Sequence, residues 1–301
     1  MFIFSKYKFD PFLICLSIVG HLSVIASIAY LSDLTSRGTD EPILLILLVN
    51  ILIHSFGVTV GYHRYFTHRS FKTSRPFEIF LMFTALFAQQ RGIKSWVARH
   101  RLHHKYSDTE KDPQFGDGSP FYLMFLSNYV LKDGIDDKET IDKYVPEYKD
   151  DALFNFFSSN WGQLLHLIGV YILLYALGGW TYLACHIIGW FYVFYMTTAV
   201  INGLTHFKSY FQGTVFSRFF YRNYNTKDET LNSMYLFPFI LDDAYHHNHH
   251  RFPASFRMGR KKYEVELWYP IFILLEKFGI IWDLNHGEAD KTATTDDILK
   301  N

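Results

Sequence analysis

The chain has 301 residues, with 29 Lys and Arg balancing 29 Asp and Glu, 15 histidines, 49% hydrophobic residues and 19% aromatic ones. The balanced charge offers no basic surface for nucleic acid. The apolar residues fall in blocks long enough to cross a bilayer and the charges gather between them, which excludes an ordinary soluble domain and predicts a polytopic membrane protein. Cys15 and Cys185 are the only cysteines and lie inside apolar blocks, so neither a disulfide framework nor a cysteine metal site is expected.

Lys6 and Lys8 precede an apolar run over 11–31, the length of a membrane helix. A cleaved signal peptide would have a shorter apolar core, and here a second run follows. After a short polar loop, 43–61 forms a second span whose end leads into GYHRYFTHRSFK, with His63 and His68. The stretch 77–92 is short for a span and reads as an interfacial or re-entrant helix. WVARHRLHHKYSDTEKDP over 96–113 then sets His100, His103 and His104 at i, i+3 and i+4, on one face of a helix. A polar region runs on to 151, with 112–120 as a loop and 133–140 as a solvated segment. Two further spans, 161–177 and 182–200, are separated only by Gly178, Gly179 and Trp180, which predicts an antiparallel hairpin. Asn202 and His206, four apart, end the last span on one face. YHHNHHRFP repeats the earlier spacing at His246, His249 and His250, the stretch 265–284 reads as interfacial, and 285–301 reads as a mobile polar tail.

The fold class expected is therefore an all-α membrane protein, one domain over 1–301, with four transmembrane helices in two hairpins, interfacial helices and a histidine-rich cap. Four spans put both termini and all three histidine clusters on one side. Arg64, Arg69, Lys72, Arg75, Arg91, Lys94, Arg99, Arg101 and Lys105 lie on that side against Arg37 on the other, so the positive-inside rule makes it cytoplasmic.

Imidazole suits iron, copper, nickel and zinc alike, so histidine does not name the metal. Nine candidates, His63, His68, His100, His103, His104, His206, His246, His249 and His250, are too many for one ion and enough for two, so a dinuclear centre is the simplest account. Two redox-active irons would suit O2 chemistry, whereas two zincs would serve as Lewis acids or activate water. A centre at the end of an apolar bundle suits a substrate whose reacting part is a hydrocarbon chain.

HRYFTH, HRLHHKYSDTEKDP, NGLTH and HHNHHRFP, in this order between pairs of apolar spans, resemble the motifs of the membrane fatty acyl desaturase family, over about 57–284. The resemblance implies a non-haem di-iron centre that removes two hydrogens from adjacent methylenes, with O2 as co-substrate and two electrons from an external ferredoxin or cytochrome-type donor with its reductase. It implies that the nine histidines are iron ligands and that Asn202 contributes through a water. Animal acyl-CoA members have Arg-Asp where this chain has Ala98 and Arg99, a His where it has Gln114, and a basic pair where it has FGDG over 115–118. Those departures leave the carrier open among acyl-CoA, acyl-carrier protein and phospholipid, and the style is that of a bacterial inner-membrane enzyme. His247 stands where Asn is usual and is not counted as a ligand. A related di-iron acyl hydroxylase, acetylenase or terminal desaturase would use the same ligands; from another class, a non-catalytic membrane metal or haem protein would use the same histidines without oxidation.

Around this set, Asp108 and Asp112 are expected to orient histidines from behind, since ligating imidazoles donate their second N–H to such groups. Trp96 and Tyr62 are candidates for the substrate path, and Arg99 for an anionic head group. His21, His54, His166 and His186 lie within spans and are expected to be neutral packing residues.

Overall fold

A computed structural model describes residues 8–114, 122, 126–127, 129–131 and 134–287. Helix α1 (Pro11–Ser36) starts where Asp10 accepts from the N–H groups of Phe12 and Leu13 and Pro11 takes the first helical position. Helix α2 (Ile43–Phe56) continues without a break into a π-helical stretch, Gly57–Thr67. Next come α3 (Arg75–Phe87), α4 (Ile93–Tyr106), α5 (Lys138–Tyr144), α6 (Ala152–Ser158) and α7 (Asn160–Tyr195), the last running on as a π-helix over Met196–Leu204. The short helices α8 (Lys208–Phe211), α9 (Phe237–Ile240) and α10 (His246–Arg251) lead to α11 (Trp268–Lys277). Four two-residue strands, β1 (Lys8–Phe9), β2 (Lys72–Thr73), β3 (Val130–Leu131) and β4 (Ile281–Trp282), pair antiparallel as β1 with β3 and β2 with β4.

Among the described residues, three helical runs are long and apolar enough to cross a membrane: Pro11–Ser36, Ile43–Thr67 and Asn160–Leu204. Their large side chains point outward, among them Ile18, Leu22 and Ile25 on α1 and Leu44, Leu45 and Leu48 on α2. Such surfaces suit a hydrocarbon solvent, because each helix satisfies its own backbone. The third run is interrupted at Gly178 and Gly179, and Gly179 has φ 61°, a conformation glycine adopts freely. Fifteen residues on an unbroken helix would separate Tyr171 from His186 by about 22 Å. Their ring centroids lie 5.7 Å apart, so the run bends back on itself at the glycines.

The second half of α7 packs on α1 and α2. Tyr30 bonds Thr181, His21 bonds Tyr195 and Ser17, and His54 donates to the His186 carbonyl. His186 lies 3.3 Å from the Gln89 amide, and His166 packs edge-on against Phe83. These four histidines take the packing places expected of them.

Three segments differ from the sequence reading. The helix expected to end at 61 runs to Thr67, so the first histidine box begins inside it. Within 133–140, Asp136 accepts from Arg99 at 2.6 Å and Arg91 at 3.4 Å rather than standing in solvent. The tail read as mobile is pinned at its start, where Asn285 donates to the Ser70 carbonyl and accepts from the Phe256 N–H. The rest of it, 288–301, lies outside the described residues, as does most of the 112–120 loop. Helix α3, with 13 residues, is about 20 Å long, shorter than the roughly 30 Å hydrocarbon core.

The π-helical end of α2 approaches α3 closely at Gly57 and Gly61. A Cβ at Gly57 would overlap the Thr84 carbonyl, and one at Gly61 would lie 3.2 Å from the Leu81 carbonyl oxygen. Gly57→Ala therefore forces the two helices apart at a cost of about 1–3 kcal/mol. Thermal unfolding in detergent is expected to show a lower Tm for this variant; an unchanged Tm would mean that the approach is not that tight.

Candidate metal centre

The nine histidines gather at one end of the apolar helices in two groups. His63, His68, His100, His104 and His249 form the first, and His103, His206, His246 and His250 the second; within each group, one nitrogen per residue lies within 4.8 Å of the others. Helices α4 and α10 each serve both groups. The i and i+4 pair of each helix, His100 with His104 and His246 with His250, joins one group, and the i+3 histidine between them turns to the other. Residues at i+3 and i+4 flank the line through i, so a small splay sends their side chains to different centres.

The first box follows the same logic with another helix. In a π-helix the repeat is i to i+5, and His68 N–H donates to the His63 carbonyl at 3.1 Å. The HxxxxH spacing thus brings His63 and His68 together edge to face, with ring centroids 4.9 Å apart. π-helical turns are commonly found at functional sites.

Carboxylates stand behind the second group. Asp112 Oδ2 accepts from His103 Nδ1 at 2.8 Å, and Asp108 Oδ1 accepts from His206 Nδ1 at 2.9 Å. Asp108 sits at φ 61°, which aspartate tolerates, and there its other oxygen accepts from the Glu229 N–H. Both bonds fix the tautomer so that Nε2 is left with a lone pair.

Those lone pairs converge. His206 and His246 Nε2 are 2.8 Å apart, His246 and His250 3.1 Å, and His250 and His103 3.3 Å. In the first group His63 and His249 are 2.9 Å apart, His249 and His104 2.9 Å, and His104 and His100 3.1 Å. Nitrogens bound at about 2.1 Å and at right angles around one ion lie about 3.0 Å from each other. Hydrogen bonds do not account for the four-nitrogen chain of the second group. With His103 and His206 as acceptors at its ends, His246 and His250 would each spend their proton outward and oppose each other in the middle. A cation inside each group gives every converging nitrogen a partner, so the residues fit a two-metal centre.

Burial favours neutral imidazole. It holds His100, His104, His246, His249 and His250 well below the ordinary value of 6.5 and takes His68 down to about 3. Burial also acts on His103, but the Asp112 carboxylate outweighs it and raises that pKa. Burial opposes charge on Asp108 too, yet His206 and the Glu229 N–H bring it down to about 2. A depressed histidine takes its proton in the unfolded chain before the folded one, so its contribution is present above 6.5 and lost as the pH falls. His103 has the opposite sign but is outnumbered. The metal-stripped protein is therefore expected to lose stability as the pH drops below about 6.5; a Tm in detergent that held or rose between pH 7 and 5 would contradict the burial.

One cavity reaches the histidines, and two others adjoin it through shared lining residues. The central one is lined by His63, His100, His246, Asn202, Trp96 and Asp243. It shares Gln90 with a second cavity beside Tyr62, Arg91 and the start of α1, and shares Val58, Thr197, Ile201 and Asp243 with an apolar one between α2, α7 and α9. Trp96 stacks on His100 at 4.7 Å, and Tyr62 donates to the Arg91 carbonyl while its ring meets Trp96 at 5.1 Å. Arg99, the head-group candidate, pairs instead with Asp136 and donates to the Ser127 carbonyl. Arg91 lines the cavity beside Tyr62.

The sequence reading passed over several partners. Asp243 accepts from Thr59 at 2.7 Å and lies 3.7 Å from His63 Nδ1, and burial raises its pKa to about 6. Arg64 pairs with the buried Asp242, which also accepts from the Leu267 and Trp268 N–H groups at the start of α11. Asn248 is held by Asn223, Asn232 and Glu264, fixing α10 from below. The acidic pair immediately before the third box was the one local signal available.

Residues 42–264 match the profile of the family described as "Fatty acid desaturase". The chain belongs to that family. It is 33% identical over 224 residues to the Delta-9 desaturase-like 3 protein of Arabidopsis thaliana, covering 72% of this chain and 69% of that protein. It is 30% identical over 238 residues to the Delta-9 desaturase-like 1 protein of the same plant, with 77% and 73% covered. Against the sn-1 stearoyl-lipid 9-desaturase of Synechocystis sp. the identity is 27% over 281 residues, covering 93% and 82%. The protein is thus a fatty acyl desaturase, an oxidoreductase of lipid metabolism, and its two histidine groups are compatible with the metal site such an enzyme needs.

Proposed function

We propose that the desaturase acts on acyl chains carried by a membrane lipid, at a di-iron centre held by the nine histidines, with Asn202 contributing through a water. The observation that carries this is the pair of histidine groups sharing α4 and α10 beside a cavity that continues into an apolar one. Two irons there would supply the O2 chemistry that takes two hydrogens from adjacent methylenes and releases water. The chain's own residues do the rest. Asp108 and Asp112 hold His206 and His103 in the ligating tautomer. Trp96, stacked on His100, walls the central cavity, and the apolar cavity keeps the methylenes fixed and dry beside the centre, which decides the bond that reacts.

A lipid carrier is supported by the stearoyl-lipid substrate in the name of the Synechocystis relative and by the internal pairing of Arg99, which leaves that guanidinium engaged away from a coenzyme phosphate. Electrons come from a ferredoxin or cytochrome-type donor with its reductase, docking on the basic face near the histidines. Four spans, 11–31, 43–61, 161–177 and 182–200, form two hairpins in this reading, with both termini and the centre on the cytoplasmic side of a bacterial inner membrane. The purified protein is expected to hold about two irons per chain. Reconstituted with reductant and O2, it is expected to desaturate an isotope-labelled phospholipid in preference to the same acyl group on coenzyme A. Turnover of the CoA ester alone would overturn the lipid assignment.

A further inference from the structure

Between His206 and His246 the chain makes a long excursion; Glu229 and α9 serve the histidine centre and the apolar cavity, but its exposed outer side chains do not. Its base is fixed: Lys208 N–H donates to the Glu229 carbonyl, Leu231 N–H to the Thr205 carbonyl, and Glu229 N–H to Asp108. Its tip turns at Gly213, with φ 77°, and the Thr214 hydroxyl accepts from the Phe216 N–H. The outer surface mixes exposed polar residues, among them Ser209, Gln212 and Ser217, with large apolar ones that nothing in the chain covers. Tyr210 is 66% exposed, Val215 69%, Phe216 57% and Tyr235 62%. Four large apolar side chains left this exposed on one folded loop call for a contact outside the chain.

Position identifies the contact. The excursion begins four residues beyond Leu204, the end of a run apolar enough to cross a membrane. It returns along that same helix: the Tyr192 hydroxyl of α7 donates to the Phe239 carbonyl at 3.0 Å, and the Phe239 ring stays 55% exposed on the outward side. Twelve residues of helix separate Tyr192 from Leu204, so α9 meets the spanning helix well before its end, with the Phe239 ring exposed there. Lys208 and Arg218 are exposed beside the aromatic groups, and Arg218 lies over the Phe219 ring at 5.1 Å. Aromatic rings with neighbouring basic groups are the composition of the head-group boundary.

We propose that the segment 208–239 is a membrane foot, with Tyr210, Val215, Phe216 and Tyr235 seated in the head-group and upper acyl region of the same bilayer that α7 crosses. Because His206 and His246 lie at its two ends, the foot ties the second histidine group to the membrane surface from which the acyl chain enters. The inference rests on α7 being membrane-spanning and is independent of the chemistry at the histidines.

Nitroxide labels placed by Tyr210→Cys and Phe216→Cys test it, in full-length protein carrying Cys15→Ser and Cys185→Ser and reconstituted in phosphatidylcholine–phosphatidylglycerol nanodiscs. Leu22→Cys on α1 and Asn225→Cys serve as references. The expected result is oxygen contact exceeding nickel-chelate contact at 210, 216 and 22, and the reverse at 225. Nickel-chelate contact at 210 and 216 equal to that at 225 would overturn the foot, and screening from both reagents would overturn it in favour of a protein partner. An aqueous label at 22 would overturn the membrane reading itself, and the foot with it. Using two tip positions keeps the result readable if one variant does not fold.

Discussion

Replacing His249 with alanine is expected to abolish product formation while leaving the protein in the membrane. His249 has the most central place in the first group, with Nε2 at 2.9 Å from the nitrogens of both His63 and His104. It also lies on α10 between His246 and His250, which serve the second group, so its loss opens one centre without touching the helix ends. Loss of an outer partner alone typically costs 10–100-fold, so loss of the central imidazole should take activity below about one hundredth of wild type. The imidazole carries no hydrophobic core position, and the Asn248 network that holds α10 remains. Membrane fractionation and iron content should therefore separate: normal protein level, reduced iron. Full activity in His249→Ala would remove it from the ligand set.

Asp112→Asn is expected to lower iron retention and activity by about 10–100-fold with little change in fold. Asp112 Oδ1 accepts from the Gln114 N–H at 2.8 Å, while Oδ2 accepts from both His103 Nδ1 and the Asp108 N–H. An asparagine has one acceptor oxygen, so its NH2 must face either Gln114 N–H or His103 Nδ1. If it faces His103, the ring must turn its lone pair to Nδ1 and put the proton on Nε2, the atom that converges on His250. The Asp112 charge, the main influence raising the His103 pKa against burial, is lost in either case, leaving only the more distant Asp108 and Asp228 to oppose burial. Iron per chain, measured after dialysis against a weak chelator, should fall. Wild-type retention would show that Asp112 holds only the turn.

The i, i+3, i+4 triplets made the histidine centre legible, because helical spacing brings such residues to one face without any knowledge of the fold. Their division between two groups was not legible, since it depends on how α4 and α10 face each other. HxxxxH was recognisable as a box, but its spacing of five matches a helix only if the helix is π, and nothing local in Gly57–Thr67 announces that beyond two glycines that let α3 come close. Asp108 and Asp112 stand out in the sequence because they follow the box within a turn or two, and the structure sets them against His206 and His103. Asp243, Glu264 and Asn232 do not stand out, since each meets its partner across long stretches of chain. Arg99 looked like a ligand-binding cation because Asp136, 37 residues on, had been read as part of a solvated segment. The turn at Gly178 and Gly179 came from a local signal and the structure bends there; the aromatic foot had no polar or periodic signature and emerges only from exposure.

The most direct test of the central claim is the fatty acid profile of a host expressing the chain, read by gas chromatography with double-bond localisation, beside His103→Ala. A new unsaturated acid, two mass units lighter than its saturated parent and absent from the His103→Ala host, is the predicted result. An oxygenated acid, or the same new acid from both proteins, would contradict desaturation at this histidine centre.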